Sequence, residues 1–452
     1  MLAKFVKISA TNSKGASPVE NLVVDSPLHK KLRLKFLPIF YVLRLSDWLQ
    51  GPYFYAVYAT KVLSDGSTYP ISLISKLFLT GFASTAIVGP WLGRFADEKG
   101  RKKGTLLFTT LYTLGALSTK SSLLTYLFAG RVLSGLGTSL LFSAPESWLV
   151  AESQKINEGD GGAELSKTFG LAYAGDSIVA IIAGYLASAA AKSRGEVGPF
   201  ELSAVVLALG ALGVSTFWGE NFASKSSPSS DSSSVESGGE DSSSIRSALK
   251  IALADKKIAL VGLMQAFFEG AMYTFVINWP PSVAAAIAKY FGKEAMVPYG
   301  GIFSCFMACC LVGSTLFQRL SSKISASDLS VGMMSLAFLS MSASAFASSL
   351  PGNPLFLLVS SFFVFEACVG CYFPLIGTLR SKIIPESHRS VIMNLFGIPL
   401  NAIVVSVFLG IKYLGVSGAL GVSAGSLAVA LGASTKLAGI MRKERKELEA
   451  SS

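Results

Sequence analysis

Twelve apolar runs, each close to the length that crosses the roughly 30 Å hydrocarbon core of a bilayer, follow one another along this chain of 452 residues. They occupy 36–62, 71–95, 104–120, 123–149, 169–191, 200–217, 257–285, 300–320, 328–348, 354–379, 390–413 and 417–438. None shows the period-2 alternation of a membrane barrel strand, so each reads as a helix. Composition agrees: 15% of the residues are charged, against roughly 25% in soluble domains, too few to cover a water-exposed surface. The predicted fold is an all-α, multi-pass integral membrane protein with twelve transmembrane helices.

The charges lie between the runs and set an orientation. Lys and Arg number 39 against 28 Asp and Glu, a net charge of +11. With the N-terminus in the cytoplasm, 29 of the 39 basic residues fall in inside segments and eight in outside ones, which leaves only Arg44 and Arg131 within spans. Cytoplasmic loops are enriched in Lys and Arg, so both termini are expected inside, as an even number of spans requires. The positive excess then reports topology, and a nucleic-acid partner loses its motive. No cleavable signal peptide precedes the first run. Residues 1–19 lack acids, which leaves a transit peptide open beside the plainer reading of a cytoplasmic tail. The expected location is the plasma membrane, with an organellar membrane as the alternative. All five cysteines lie in spans 8 and 10, where Cys368 and Cys371 read as packing residues, and His29 and His388 lie in loops. No metal site and no cofactor is expected from such a set.

One interval is of a different kind. Residues 222–249 hold thirteen serines with Gly238 and Gly239, a composition that makes flexible linkers. It divides the spans six and six. The expected organisation is a tail over 1–35, an N-terminal half over 36–217, a cytoplasmic linker over 218–256, a C-terminal half over 257–438 and a tail over 439–452. Two six-helix halves that rock around a site between them are a common transporter plan, and such a chain is expected to work as a monomer.

The loop after span 2 reads Gly93-Arg-Phe-Ala-Asp97-Glu-Lys-Gly100-Arg101-Lys-Lys. Gly93 permits close helix contact, Asp97 can complement a neighbouring helix N-terminus, Gly100 makes the turn and the basic run from Arg101 anchors the loop inside. This loop resembles the signature of the major facilitator superfamily, which implies a role in conformational gating. Span 4 adds a second such element, Arg131-Val-Leu-Ser-Gly135-Leu-Gly137; the matching loop of the second half, Gly313 to Lys323, is degenerate. Further blocks are similar to those of the molybdate-anion transporter family. They are Asp47-Trp-Leu-Gln50-Gly-Pro-Tyr53, Phe142-Ser-Ala-Pro-Glu146-Ser-Trp148, Trp218-Gly-Glu-Asn221, Gln265-Ala-Phe-Phe-Glu269-Gly270, Tyr372-Phe-Pro374 with Ile384-Pro-Glu386, and Pro399-Leu-Asn401. The likeness extends from about residue 40 to 410. It implies import of the molybdate oxyanion, with spans 1, 4, 7 and 10 lining the cavity.

Ionisable groups inside spans are costly and therefore candidates for function. Here they are Arg44, Asp47, Arg131, Glu146, Asp176, Glu269 and Glu366. A dianion leaving water needs cations and N–H or O–H donors. Arg44 and Arg131 are the only deep basic side chains, with Gln50, Tyr53, Gln265, Tyr273 and Asn394 as neutral donors beside Asp47 and Glu269. Arg44 is expected to contact the anion while Asp47 partly neutralises Arg131, and a break at Gly51-Pro52 could offer backbone N–H groups. Asp47, Glu146, Glu269 and Glu366 are candidates for carrying protons with the anion, so proton symport is expected. Asp176 reads as a polar contact near a span end.

Two positions depart from the family pattern: Gly397 stands where an Asn-x-Phe-Arg-x-Pro block carries Arg, and Pro280 where a Trp-Thr-Pro carries Thr. Both bear on anion identity more than on fold. Sulfate or another small anion, an organic solute, or a scaffold without transport remain alternatives. No nucleophile–base pair or phosphate loop suggests an enzyme.

Overall fold

A computed structural model describes residues 26–156, 161–222, 254–292, 294–352, 354–384 and 389–451. The Ser-rich interval from residue 223, Pro385, Glu386 and His388 lie outside the described residues.

The described chain is helical, apart from one isolated bridge between Val62 and Thr68. Span 1 is α1 (Pro27–Gln50), a 3-10 turn (Gly51–Tyr53) and the short α2 (Phe54–Ala59). The other spans of the first half are α3 (Ile71–Lys99), α4 (Arg101–Ser118), α5 (Leu124–Gln154), α6 (Gly161–Arg194) and α7 (Gly198–Phe217). The second half holds α8 (Lys256–Phe291), α9 (Tyr299–Leu320), α10 (Ala326–Ser349), α11 (Leu355–Ile383) and α12 (Arg389–Ser451). Gly415, at φ 62°, breaks α12 into two arms. Counting the arms separately and α1 with α2 together gives the twelve expected spans among the described residues. Eight stretches are long and apolar enough to cross a membrane, and two of these, Glu164–Phe217 and Leu395–Glu449, each contain two helices. α1 and α4 fall short because they carry charge, including Arg33, Lys35, Arg44 and Asp47 in α1 and Arg101, Lys102 and Lys103 in α4.

α1 begins ahead of its apolar run, and His29, read as a loop residue, is buried in its first turn. The basic N-terminal turns of α1 pack on α6 instead of fraying: Arg33 Nη1 reaches the buried Glu164 carboxylate at 3.0 Å. Within the first half α1 packs on α6 and α7, α3 on α5, and α4 on α5 and α7. In the second half α8 packs on α12, α10 on α11 and α12, and α9 on α11.

Contacts between the halves gather toward the end of the bundle opposite the 93–103 loop. Tyr53 meets Tyr299 edge to face at 5.7 Å, Trp48 meets Phe303 at 5.8 Å, and Phe82 meets Tyr273 at 5.5 Å. α6 and α9 approach through small residues, where Gly184 lies against Gly300 and Ser304 donates to the Ile181 carbonyl at 2.8 Å. Small residues let membrane helices pack at close range. At the other end the first half closes on itself: Trp148 and Trp218 stack at 4.1 Å, and Phe36 lies 5.8 Å from Trp218.

Candidate functional site

The 93–103 loop is organised by a residue from far along the chain. Gly100 takes φ 118°, a conformation that favours glycine, and turns α3 into α4. The N–H groups at the start of α4 are then satisfied by Glu220, whose carboxylate accepts from Lys102 at 2.8 Å and Lys103 at 3.2 Å. A carboxylate at a helix N-terminus also complements the helix dipole. Asp97, expected to do this, instead pairs with Arg101 Nε at 2.8 Å. Gly93, expected to allow close packing, has open space where a Cβ would stand. Asn221 ties the same corner to α5, donating to the Trp148 carbonyl and to Glu152, while Trp148 Nε1 donates to the Gly219 carbonyl.

At mid-span in the first half, Arg44 is buried, with 7% exposure. Its Nε and Nη2 donate to the two oxygens of Asp176, each at 2.9 Å. Such a two-point fork is the strongest geometry for an arginine and a carboxylate. The guanidinium lies 5.1 Å from the Trp48 ring centroid and 5.0 Å from that of Phe142, and Trp48 Nε1 donates to Asp176 at 2.8 Å. Asp47 Oδ2 stands 3.7 Å from Arg44 Nη1, and its other oxygen accepts from Tyr112 at 2.5 Å. Nη1 itself is buried with no hydrogen-bond partner among the described residues. Two readings from sequence are therefore corrected. Asp176 belongs to the centre of the cluster, and the cation beside Asp47 is Arg44, not Arg131.

Arg131, on α5, stands apart from these acids. Among the described residues it makes no ion pair. Its guanidinium lies 4.3 Å from the centroid of Phe54, and its buried Nε has no hydrogen-bond partner among the described residues. Room for it exists because Gly81 on α3 lacks a side chain; a Cβ there would crowd Nη2. Gly135, one turn further along α5, packs against the Gly81 carbonyl, and Thr85 donates to the Gly135 carbonyl at 2.7 Å. The Arg-x-x-x-Gly spacing thus both draws α5 onto α3 and seats the arginine.

The second half contributes a separate polar group. Glu269 on α8 accepts from the Tyr372 hydroxyl of α11 at 2.8 Å, and Tyr372 stacks on Phe268 at 4.0 Å. Arg380, one residue past the apolar run 354–379, is in the last turn of α11 with Nη1 3.5 Å from Gln265 Oε1. Tyr372 and Arg380 are two turns apart on one helix face, a spacing that could have signalled it. Glu146 on α5 accepts from Tyr173 at 2.7 Å.

Several expected site residues point elsewhere. Gln50 is turned toward α7, donating to Ser203 at 2.8 Å. Tyr53 and Tyr273 take part in the aromatic contacts between the halves. Glu366 faces α9, where Cys310 Sγ is 3.0 Å from its Oε2. The Gly51–Tyr53 segment stays helical as a 3-10 turn, so no open backbone break is formed there. The Asn394 side chain lies outside the described residues.

Comparison with known proteins places this geometry in context. A family profile described as sugar transporters, 12 TM, matches residues 9–374. The chain is 30% identical over 423 residues to the molybdate-anion transporter of Takifugu rubripes, covering 89% of this chain and 83% of that one. It is 30% identical over 407 residues to the molybdate-anion transporter of Xenopus tropicalis, covering 88% and 82%. Among solved structures, a peptide transporter POT in complex with sulfate superposes with TM-score 0.66 at 15% identity, covering 91% of this chain and 94% of that one. The nucleoside transporter NupG gives TM-score 0.62 at 14% identity, covering 91% and 99%. At these identities the two structures speak for the fold.

Proposed function

The chain belongs to the molybdate-anion transporter family of the major facilitator superfamily, and from that premise we propose that it imports molybdate by alternating access. It is a multi-pass membrane transport protein and not an enzyme. The observation that carries the substrate reading is Arg131: a cation at mid-span without an ion-pair partner among the described residues, its buried Nε unspent. A lone cation in low dielectric is costly unless an anion visits it. Arg44 Nη1, likewise unspent, supplies a second donor on the same half. The relatives named as molybdate-anion transporters supply the identity of the anion.

Both termini and the 93–103 loop are taken as cytoplasmic, on the strength of the basic residues in those segments. The halves then meet on the outer side, and the state is inward-facing. The two six-helix halves, 36–217 and 257–438, would rock about the site, with the loop around Gly100 and Glu220 holding α3, α4 and α7 as one body. Two negative charges moving against an inside-negative potential cost about 2.3 kcal/mol per charge per 100 mV, so an energy source is needed. Asp47, Glu146 and Glu269 line the polar groups described above and are the proposed proton carriers; Glu366, facing α9, is a weaker one. The plasma membrane is the proposed site of action, and the monomer the working unit.

Elemental analysis of molybdenum in cells expressing the chain tests this reading. Accumulation that saturates with molybdate, drops in Arg131→Met and resists excess sulfate supports it. Equal molybdenum in expressing and control cells would overturn it, and full inhibition by equimolar sulfate would turn it toward a general oxyanion carrier.

A further inference from the structure

Asp176 occupies Arg44 in the way a tetrahedral oxyanion would. Its two oxygens take the Nε and Nη2 hydrogens at 2.9 Å each, the two-point geometry by which guanidinium groups bind planar or tetrahedral anions. The pair is enclosed rather than rim-exposed: the side chains are 9% and 13% accessible, with Trp48 and Phe142 against the guanidinium. Trp48 Nε1 donates to the same carboxylate, so Asp176 is held in the position from two directions. Resting on the reading of the chain as an oxyanion carrier, we propose that Asp176 is a tethered competitor for the substrate, filling Arg44 when the site is empty and leaving it when the anion arrives.

The two occupants exclude each other. Asp176 and an oxyanion cannot share Nε and Nη2, so apparent affinity equals intrinsic affinity scaled by the fraction of molecules in which the fork is free. The exchange also keeps Arg44 paired throughout. A buried arginine stripped of its anion is strongly destabilising, and the empty carrier must change conformation with the site vacant. Asp176 supplies a negative charge for that step. It is carried by α6, the helix that packs on α9 of the other half through Gly184 and Gly300. Release of Arg44 therefore removes the mid-span tie between α1 and α6, leaving those through Arg33–Glu164 and Tyr41–Leu171, on the helix that bridges the halves, which links occupancy of the site to their relative movement. Asp47 cannot take the same part: at 3.7 Å from Nη1 it attracts Arg44 without spending its fork donors, and Tyr112 holds its other oxygen.

The test is Asp176→Asn in proteoliposomes, with net molybdate uptake and molybdate–molybdate counterflow measured side by side. The expected result splits the two. The KM for molybdate falls by about tenfold or more, the scale of a lost charge-assisted pair; net uptake slows because the empty carrier returns poorly; counterflow persists because the loaded carrier does not need Asp176. Formate, a free carboxylate that fits the vacated fork, competes with molybdate in Asp176→Asn and not in the unmodified protein. Trp48→Phe, which removes the second donor holding Asp176, shifts KM in the same direction by less. An unchanged or raised KM in folded Asp176→Asn, or loss of counterflow in parallel with net uptake, overturns the proposal. If the unmodified protein carries no molybdate, the substrate reading has failed; formate-induced thermal stabilisation of purified Asp176→Asn alone then still decides whether the fork accepts a carboxylate, and its absence overturns the tethered competitor.

Discussion

Arg131 and Arg44 are both deep arginines in the same half, yet their removal should act on stability to very different extents. Arg44 balances Asp176 and Asp47. Arg44→Ala leaves two carboxylates without their cation, and breaking a buried pair in this way costs about 3–5 kcal/mol. Arg131 balances no described carboxylate; its guanidinium lies over the Phe54 ring at 4.3 Å, worth about 0.5–2 kcal/mol, and near the buried Tyr58 hydroxyl. Arg131→Met exchanges that for a neutral side chain of similar length and relieves an unpartnered Nε. The melting temperature of the substrate-free protein should therefore barely move. Affinity should move a great deal: a hydrogen bond to a charged group is worth about 1.5–3 kcal/mol, which corresponds to a KM for molybdate raised about ten- to a hundredfold. The assay is a thermal melt in detergent with and without molybdate, paired with initial uptake rates. Molybdate should raise the melting temperature of the unmodified protein and have little effect on Arg131→Met. A melting temperature that collapses as in Arg44→Ala would make Arg131 a structural residue, and an unchanged KM would remove it from the anion's path.

Three further outcomes follow from the same contacts. Gly81→Val crowds the Arg131 guanidinium and should raise KM several-fold, with Gly81→Ala intermediate; equal KM values across the series would show that Arg131 does not need this seat. Glu220→Ala removes the acceptor for the Lys102 and Lys103 N–H groups, a loss of about 1 kcal/mol by analogy with helix caps, and should lower the melting temperature by a few degrees with Glu220→Gln in between; no change would mean the cap is redundant. Uptake should fall with a protonophore and rise when the outside is acidified, and Glu269→Gln should lose that dependence while keeping counterflow; uptake indifferent to both treatments would remove proton coupling.

The spans were legible because membrane helices are written locally: an apolar run of sufficient length and flanking Lys and Arg suffice. The turn at Gly100 was legible for a similar reason, since a glycine between a helix end and a basic run has few other uses. What the chain could not reveal locally was pairing. Arg44 and Asp176 are 132 positions apart, and Lys102 and Glu220 are 118 apart; neither distance leaves a periodic trace. Asp47 and Arg131 both lie on spans that the resemblance places around the cavity, which suggests a pair, whereas the cation beside Asp47 is its i, i+3 neighbour Arg44 on the same helix. Gln50 and Glu366 show a related point. Each is polar and deep, but a deep polar group can be satisfied by an adjacent helix, as Ser203 and Cys310 do here. Depth identifies a candidate, and only the facing helix decides its use.

The most direct test is transport by the purified protein. Reconstituted into liposomes, the unmodified chain should load molybdenum from external molybdate in a saturable manner, and Arg131→Met should lose that uptake at low molybdate and regain it at high. Molybdenum content no greater than in protein-free liposomes, under an inward proton gradient and with the protein shown to be folded, would contradict the assignment of this chain as a molybdate importer.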